Sequence, residues 1–275
     1  MSESLFDLAG KVAVVTGGGA NGGIGHAIAL GFAGNGADLV IGDIDGQGAE
    51  TTAQEIEEVG GRAVAAQFDI SQPESVADLF AAADEAFDRI DILVNVPFAF
   101  PERSRPHELS LAAWEKTLAV SLNGYFYCAQ QAIRRMLEQG TGGAVLNIGS
   151  IASVSALGRG NFPYSVAKGG ITQLTRELAV EYARQGIRVN AILPAQVMTP
   201  GFRKGLLEDP RFGEKLRQRF IAGIPIGRVL EPEDFVGPAL LLCSGAGAAV
   251  TGVLLPVDGG NLAMNAGGNH TWPID

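Results

Sequence analysis

Two hydrophobic rhythms alternate along the chain. Short runs such as Lys11-Val12-Ala13-Val14-Val15-Thr16 and Asp38-Leu39-Val40-Ile41-Gly42-Asp43 are rich in β-branched residues, the pattern of strands buried on both faces. Further runs of this kind lie at 63–68, 91–95, 144–148, 189–194 and 253–257. Between them apolar residues recur every three to four positions, which predicts helices over 23–34, 47–58, 72–87, 111–138, 163–184 and 231–243. This alternation has no linker, repeat or low-complexity stretch and predicts an α/β fold with one doubly wound parallel sheet flanked by helices on both faces. One domain is expected over 1–275, with a cofactor half at about 8–110, a catalytic and substrate half at about 111–265 and a tail at 265–275.

The first strand runs into Gly17-Gly18-Gly19-Ala20-Asn21-Gly22-Gly23-Ile24-Gly25 and then into a helical pattern. Strand, glycine turn and helix in this order let backbone N–H groups approach a pyrophosphate at the positive end of the helix. The next strand ends at Asp43, 18 positions beyond Gly25, where a carboxylate can accept from both hydroxyls of a ribose. It would also repel a 2′-phosphate, and no Lys or Arg occurs between Lys11 and Arg62 to neutralise one, so NAD is expected rather than NADP.

Tyr164 and Lys168 stand one helical turn apart, with Ser150 fourteen positions upstream of Tyr164 at the end of a strand-like run. A free phenol, with a pKa near 10, is a poor base at neutral pH unless a cation favours its ionised form, and Lys168 is placed to supply one. Such a phenol can exchange a proton with an alcohol or ketone oxygen that a serine hydroxyl orients. Taken alone, Tyr-x-x-x-Lys recurs by chance; with the glycine turn and the acid after the second strand it points to carbonyl and alcohol redox chemistry.

With these motifs the chain resembles the short-chain dehydrogenase/reductase family over nearly its full length, which implies a Rossmann-type fold and a catalytic tetrad. The matching positions are Asn123 in Leu122-Asn123-Gly124, Ser150 in Asn147-Ile148-Gly149-Ser150, Tyr164 and Lys168. An amide beside Gly124 in a long helix can loosen the backbone ladder and free a carbonyl for a water leading to Lys168. For the cofactor, the resemblance implies Gly17, Asn21, Gly23 and Ile24 at the pyrophosphate and Asp43 at the ribose. It also implies Asp69 and Ile70 at adenine, Asn95 near the adenosine ribose, Val197 and Thr199 at the carboxamide, and Tyr164 and Lys168 at the nicotinamide end. The chain departs from the family pattern in four places, two of them being Pro194-Ala195 where Pro-Gly is usual and a Ser-to-Tyr spacing one residue longer than is common. The glycine loop is two residues longer, and Asn95-Val96-Pro97-Phe98 replaces Asn-Asn-Ala-Gly, so contacts on that side are expected to be rearranged.

Composition narrows the partners. A net charge of −10 argues against nucleic acid, which needs a basic footprint, but leaves room for a small anionic ligand met by a local arginine. Cys128 and Cys243, without CxxC spacing, read as buried, reduced thiols of a cytoplasmic protein. His26, His107 and His270 match no metal-ligand spacing, and no metal is expected. Residues 235–257 carry no charge but are broken by Pro238, Gly245, Gly247, Gly252 and Pro256, which reads as a buried helix, a turn and an edge strand rather than a membrane span.

On the substrate side, residues 97–109 and 201–223 border the nicotinamide, and Phe98, Arg103, Arg159, Asn161 and Phe202 are the candidate contacts. Guanidinium groups near a polar pocket favour a sugar, sugar acid or polyol. Phe98, Phe100 and Phe162 keep open a dehydrogenase for apolar cyclic or aryl alcohols. An enoyl reductase would be expected to place its tyrosine and lysine more than one turn apart, and a non-catalytic NAD sensor would not need the tetrad. The apolar faces of helices 111–138 and 163–184 exceed what one sheet covers, and the resemblance implies a four-helix dimer interface and a homotetramer closed by the last strand.

Overall fold

The computed structural model describes residues 4–19, 22–99, 103–158, 160–204 and 213–264. The β-branched runs form β1 (Val12–Thr16), β2 (Asp38–Asp43), β3 (Ala63–Gln67), β4 (Ile92–Asn95), β5 (Gly143–Ile148), β6 (Ile187–Pro194) and β7 (Leu254–Val257). They make a single parallel sheet in the order β3-β2-β1-β4-β5-β6-β7. The period of two divides each strand between two cores. Ala13 and Val15 face α1 (Ile24–Ala33), α2 (Gly46–Glu58) and α9 (Val236–Cys243), meeting Ile28, Phe32, Ile56 and Leu240. Val12 and Val14 face α3 (Pro73–Phe87), α5 (Gly124–Gln139) and α6 (Phe162–Tyr182), meeting Phe80, Tyr125, Ala129 and Ile171.

Between β1 and its neighbours β2 and β4 the strand order reverses direction, so the helices leave to opposite faces and open a crevice at the strands' carboxyl ends. A buried polar ladder fixes those ends. Thr16 Oγ1 donates to Asn95 Oδ1 (3.3 Å), Asn95 Nδ2 to Asn147 Oδ1 (3.1 Å) and Asn147 Nδ2 to Thr175 Oγ1 (3.0 Å), crossing β1, β4, β5 and α6. Thr16, Asn95, Asn147 and Thr175 are each 1% exposed or less, so sliding any strand would strand unpaired polar groups in the core.

Helix boundaries differ from expectation in three places. The stretch 111–138 is not one helix: α4 (Leu111–Leu118) gives way to a π-helical segment, Ala119–Asn123, before α5 begins. That is the loosening expected around Asn123, with one residue extra per turn shifting the phase of everything beyond it. The stretch 201–223, for which no element was expected, carries α7 (Pro200–Phe202) and α8 (Gly213–Ile221). In the region 231–243 a 3₁₀ turn, Pro232–Phe235, precedes α9, and the chain then turns through Gly245–Gly247 into the edge strand β7. No described helix is long and apolar enough to cross a membrane. Cys128 and Cys243 are both buried.

At the opposite end of the sheet Asp91, just before β4, accepts from Val12 N (3.0 Å), Lys11 Nζ (3.2 Å) and both Arg89 Nε and Nη2 (2.8 and 2.7 Å). Burial alone would raise this carboxyl, but the Arg89, Val12 and Lys11 contacts outweigh it and hold it below its ordinary range. A depressed carboxyl contributes stability that is full above the unfolded value near 4 and is lost as pH falls through the lower folded one. Asp91→Asn is expected to lower stability by about 2 kcal/mol at neutral pH. Urea titrations should show that deficit shrinking below about pH 4; a deficit independent of pH would mean the charge of Asp91 is not what binds β1 to β4.

Candidate active site

α6 starts at Phe162 with Pro163 in its first turn, where a missing N–H costs nothing and a fixed φ favours the helix. This start fixes Tyr164 in the first turn and Lys168 one turn on, on the same face. Ser150 is held by its own backbone: extended (φ −168°, ψ 159°) and capping the 3₁₀ turn Ile151–Ser153, it accepts from Ala152 N (3.1 Å) while its N–H donates to Ser153 Oγ (3.2 Å). Its hydroxyl lies near enough to the Tyr164 phenol to favour that group's ionised form. Ser150 is 7% exposed and Tyr164 is half-buried at the crevice.

Lys168, 1% exposed, is the group on which the electrostatics turn. Its Nζ donates to Ile148 O (2.7 Å) and to Tyr125 Oη (3.0 Å), and lies 4.8 Å from the Tyr125 ring centre and 5.9 Å from that of Tyr164. Among the described residues no carboxylate pairs with it. Burial therefore pulls the ammonium down to about 7. Burial also raises the Tyr164 phenol, against a smaller lowering by Ser150. In the protein alone burial thus works against the charged form of each group.

A correction concerns Asn123. It is exposed, on the outer side of the chain where the π segment meets α5, and does not join Ser150, Tyr164 and Lys168. Ser121 is the residue that the π segment turns inward: it is 0% exposed and its Oγ accepts from Ala99 N (3.0 Å) in the loop after β4. Tyr125 is likewise fully buried, at the head of a stripe continued by Cys128, Ala132 and Met136. That stripe is readable in the sequence, and Ser121 lies on it while Asn123 falls off it.

Several of the expected cofactor residues could hold a dinucleotide at the strand ends. α1 begins at Gly23 with no side-chain cap, leaving first-turn N–H groups for an anion. A Cβ on Gly25 would collide with Gly17 O, and Gly17 (φ +73°) would put one 3.1 Å from the Pro97 ring, so the glycine loop is folded tight against α1 and the loop after β4. Asp43 accepts from Gly19 N (2.9 Å) and Asp45 N (3.0 Å), which ties it to that loop and leaves lone pairs for ribose hydroxyls. The Asp69 carboxylate accepts from Ser71 N (2.9 Å) and Ser71 Oγ (2.7 Å), and Ile70 is buried against Gly124. Val197 bridges to Leu230, and Thr199 caps α7 by accepting from Phe202 N (3.4 Å). Asn95 does not present its side chain: every polar atom of it is used within the ladder, so its expected contact with the ribose is corrected to a structural role. Asn21 lies outside the described residues.

Three ring pairs form among the segments expected to border the substrate. Phe98 stands edge-on to Tyr164 (centres 6.1 Å apart), Trp114 stacks on Phe162 (6.0 Å) and Phe202 meets Phe220 of α8 (5.4 Å). Trp114 and Phe220 were not among the expected contacts. Gly160 packs against the backbone of Arg103 and Ser104, which joins the loop before α6 to the one after β4. Arg103 is exposed, and Asn161 is half-buried just before α6, its N–H donating to Gly158 O (3.2 Å). Phe100, Arg159 and the tail 265–275 lie outside the described residues.

A family model described as enoyl-(acyl carrier protein) reductase matches residues 18–261. Cis-4-hydroxycyclohexanecarboxylate dehydrogenase of Sinomonas cyclohexanicum is 40% identical over 92% of this chain and 97% of its own. L-rhamnose 1-dehydrogenase (NAD(P)(+)) of Azotobacter vinelandii is 39% identical over 91% of this chain and 96% of its own. The structure of 7α-hydroxysteroid dehydrogenase complexed with NADH and 7-oxo glycochenodeoxycholic acid superposes with a TM-score of 0.85, at 31% identity over 93% of this chain and 95% of that one.

Because Asn123 faces outward, Asn123→Ala is expected to leave kcat/KM within about twofold. Ser121→Ala, which strands the Ala99 N–H beside Phe98, should lower it about tenfold. NAD-linked steady-state rates decide between them, and a hundredfold loss in Asn123→Ala would restore Asn123 to the site.

Proposed function

The chain belongs to the short-chain dehydrogenase/reductase family of oxidoreductases acting on CH–OH groups, and we propose that it is an NAD-dependent dehydrogenase interconverting a secondary alcohol and a ketone on a sugar, sugar acid or polyol. The observation that carries this reading is the grouping of Ser150 and Lys168 around Tyr164 at the end of β5. Bound NAD supplies the hydride acceptor and, when oxidised, a positive ring. In this reading Lys168 holds Tyr164 as the phenolate by charge, Ser150 orients the substrate oxygen, and the phenolate takes the substrate's proton to become the phenol. The one-turn spacing of Tyr164 and Lys168 speaks against enoyl reduction.

The Phe98 edge and the Trp114–Phe162 stack support a second substrate reading, a hydroxylated apolar ring of the kind handled by the Sinomonas relative. For assembly, the exposed apolar residues Leu111, Phe126, Leu137, Val166 and Val180 on α4, α5 and α6 support a homodimer through these helices, extended to a homotetramer at β7. The buried, unpaired cysteines suit a cytoplasmic setting.

The reading is tested by NADH formation over a panel of aldoses, aldonic acids, linear polyols, cyclohexanols and hydroxycyclohexanecarboxylates. Turnover confined to the last two would replace the sugar reading with the cyclic-alcohol one. With the best substrate, Tyr164→Phe is expected to lose a factor of about 10² to 10⁴ in kcat with NAD binding retained; undiminished turnover would remove Tyr164 as the base. Asp43→Ala should raise the KM for NAD and narrow the preference over NADP, and an unchanged ratio would acquit Asp43 of ribose binding.

A further inference from the structure

Lys168 has an environment that the proposed reaction does not by itself explain. Its ammonium lies in the interior between two phenols, with no carboxylate partner among the described residues. On one side is Tyr164, half-buried at the crevice. On the other is Tyr125 of α5, 0% exposed, whose hydroxyl donates to Ile148 O (3.1 Å) and accepts from Lys168 Nζ (3.0 Å), while Nζ also donates to Ile148 O (2.7 Å). The three atoms form a closed triangle at the end of β5, two residues before Ser150. Tyr125 thus gives the cation a neutral oxygen acceptor and, at 4.8 Å, the face of a ring. The other titratable groups facing this pair are Tyr164 on α6 and Cys128 on α5.

We propose that Tyr125 is a positioning residue that keeps Lys168 in its charged form and so sets the pH range over which Tyr164 serves as a base. The partition of one proton between two groups decides this. Tyr164 phenolate with Lys168 ammonium, and Tyr164 phenol with Lys168 amine, carry the same number of protons. The first form accepts the alcohol proton; the second does not. Each interaction that favours the ammonium without favouring the amine moves the pair toward the competent form at every pH, and delays its loss on the alkaline side. A hydroxyl oxygen held by Ile148 O, with its lone pairs turned to Nζ, is such an interaction. Its hydrogen is already committed to Ile148, so it meets the amine only as an acceptor.

This inference rests on the proposed roles of Tyr164 and Lys168, and the experiment separates the two. Tyr125→Phe keeps the ring and removes the oxygen. It is expected to lower kcat for alcohol oxidation about tenfold across the plateau and to move the alkaline limb of the pH profile down by about one unit, the worth of one hydrogen bond to a charged group. KM values for NAD and for the alcohol should stay within about twofold, as a loss of packing alone would not ensure. Tyr125→3-fluorotyrosine keeps both hydrogen bonds but weakens the oxygen as an acceptor, so it should shift the limb the same way by less. It also provides the test if Tyr125→Phe fails to fold. Limbs that superpose on those of the unmodified enzyme in a folded variant would overturn the role of Tyr125. If Tyr164→Phe also turned over normally, the proposed base itself, and not this inference alone, would fall.

Discussion

A buried ammonium without a counter-carboxylate is the constraint around which this molecule is organised. Ionised amines are expensive to desolvate, and Lys168 is kept tolerable by a carbonyl at a strand end, a phenol oxygen and two ring faces rather than by an opposite charge. Those partners come from three elements, β5, α5 and α6 itself, so the elements must meet in register before the group can be housed at all. The absence of a full negative charge matters for chemistry too. A carboxylate beside Lys168 would consume the field that the crevice otherwise offers to a developing phenolate.

The sequence carries the sheet and most of the site in plain form. Strand identity comes from β-branched runs, and Ser150, Tyr164 and Lys168 come from spacing, because a strand end and a single helical turn are local geometries that a few residues determine. Asn123 shows where local reading stops. Its assignment follows a resemblance, whereas the three-to-four spacing puts Ser121 and Tyr125 on one buried face and leaves Asn123 exposed at the end of the π-helical Ala119–Asn123. Asn95 shows a different limit. Its place at the end of β4 is legible, but its three partners lie on β1, β5 and α5, between 30 and 79 residues distant, and no local pattern announces that its amide is already committed.

Pro97 illustrates how a departure from family pattern is absorbed. A proline where alanine is usual cannot donate from its nitrogen, yet its ring packs on Gly17, whose positive φ and missing side chain make the room. The two positions interlock, so the glycine loop and the loop after β4 are coupled through contact. The next residue, Phe98, is delivered edge-on to Tyr164. A change in the cofactor cradle and a change in the substrate wall are therefore one structural event.

The polar ladder from Thr16 through Asn95 and Asn147 to Thr175 divides labour within the protein. It ties the strand ends beside Ser150 together with buried hydrogen bonds, while Phe98, Trp114, Phe162 and Phe202 stand on loops and helix starts. A fold built this way lets its loops be exchanged for others, altering which alcohols are admitted, while the proton-handling groups beneath keep their places.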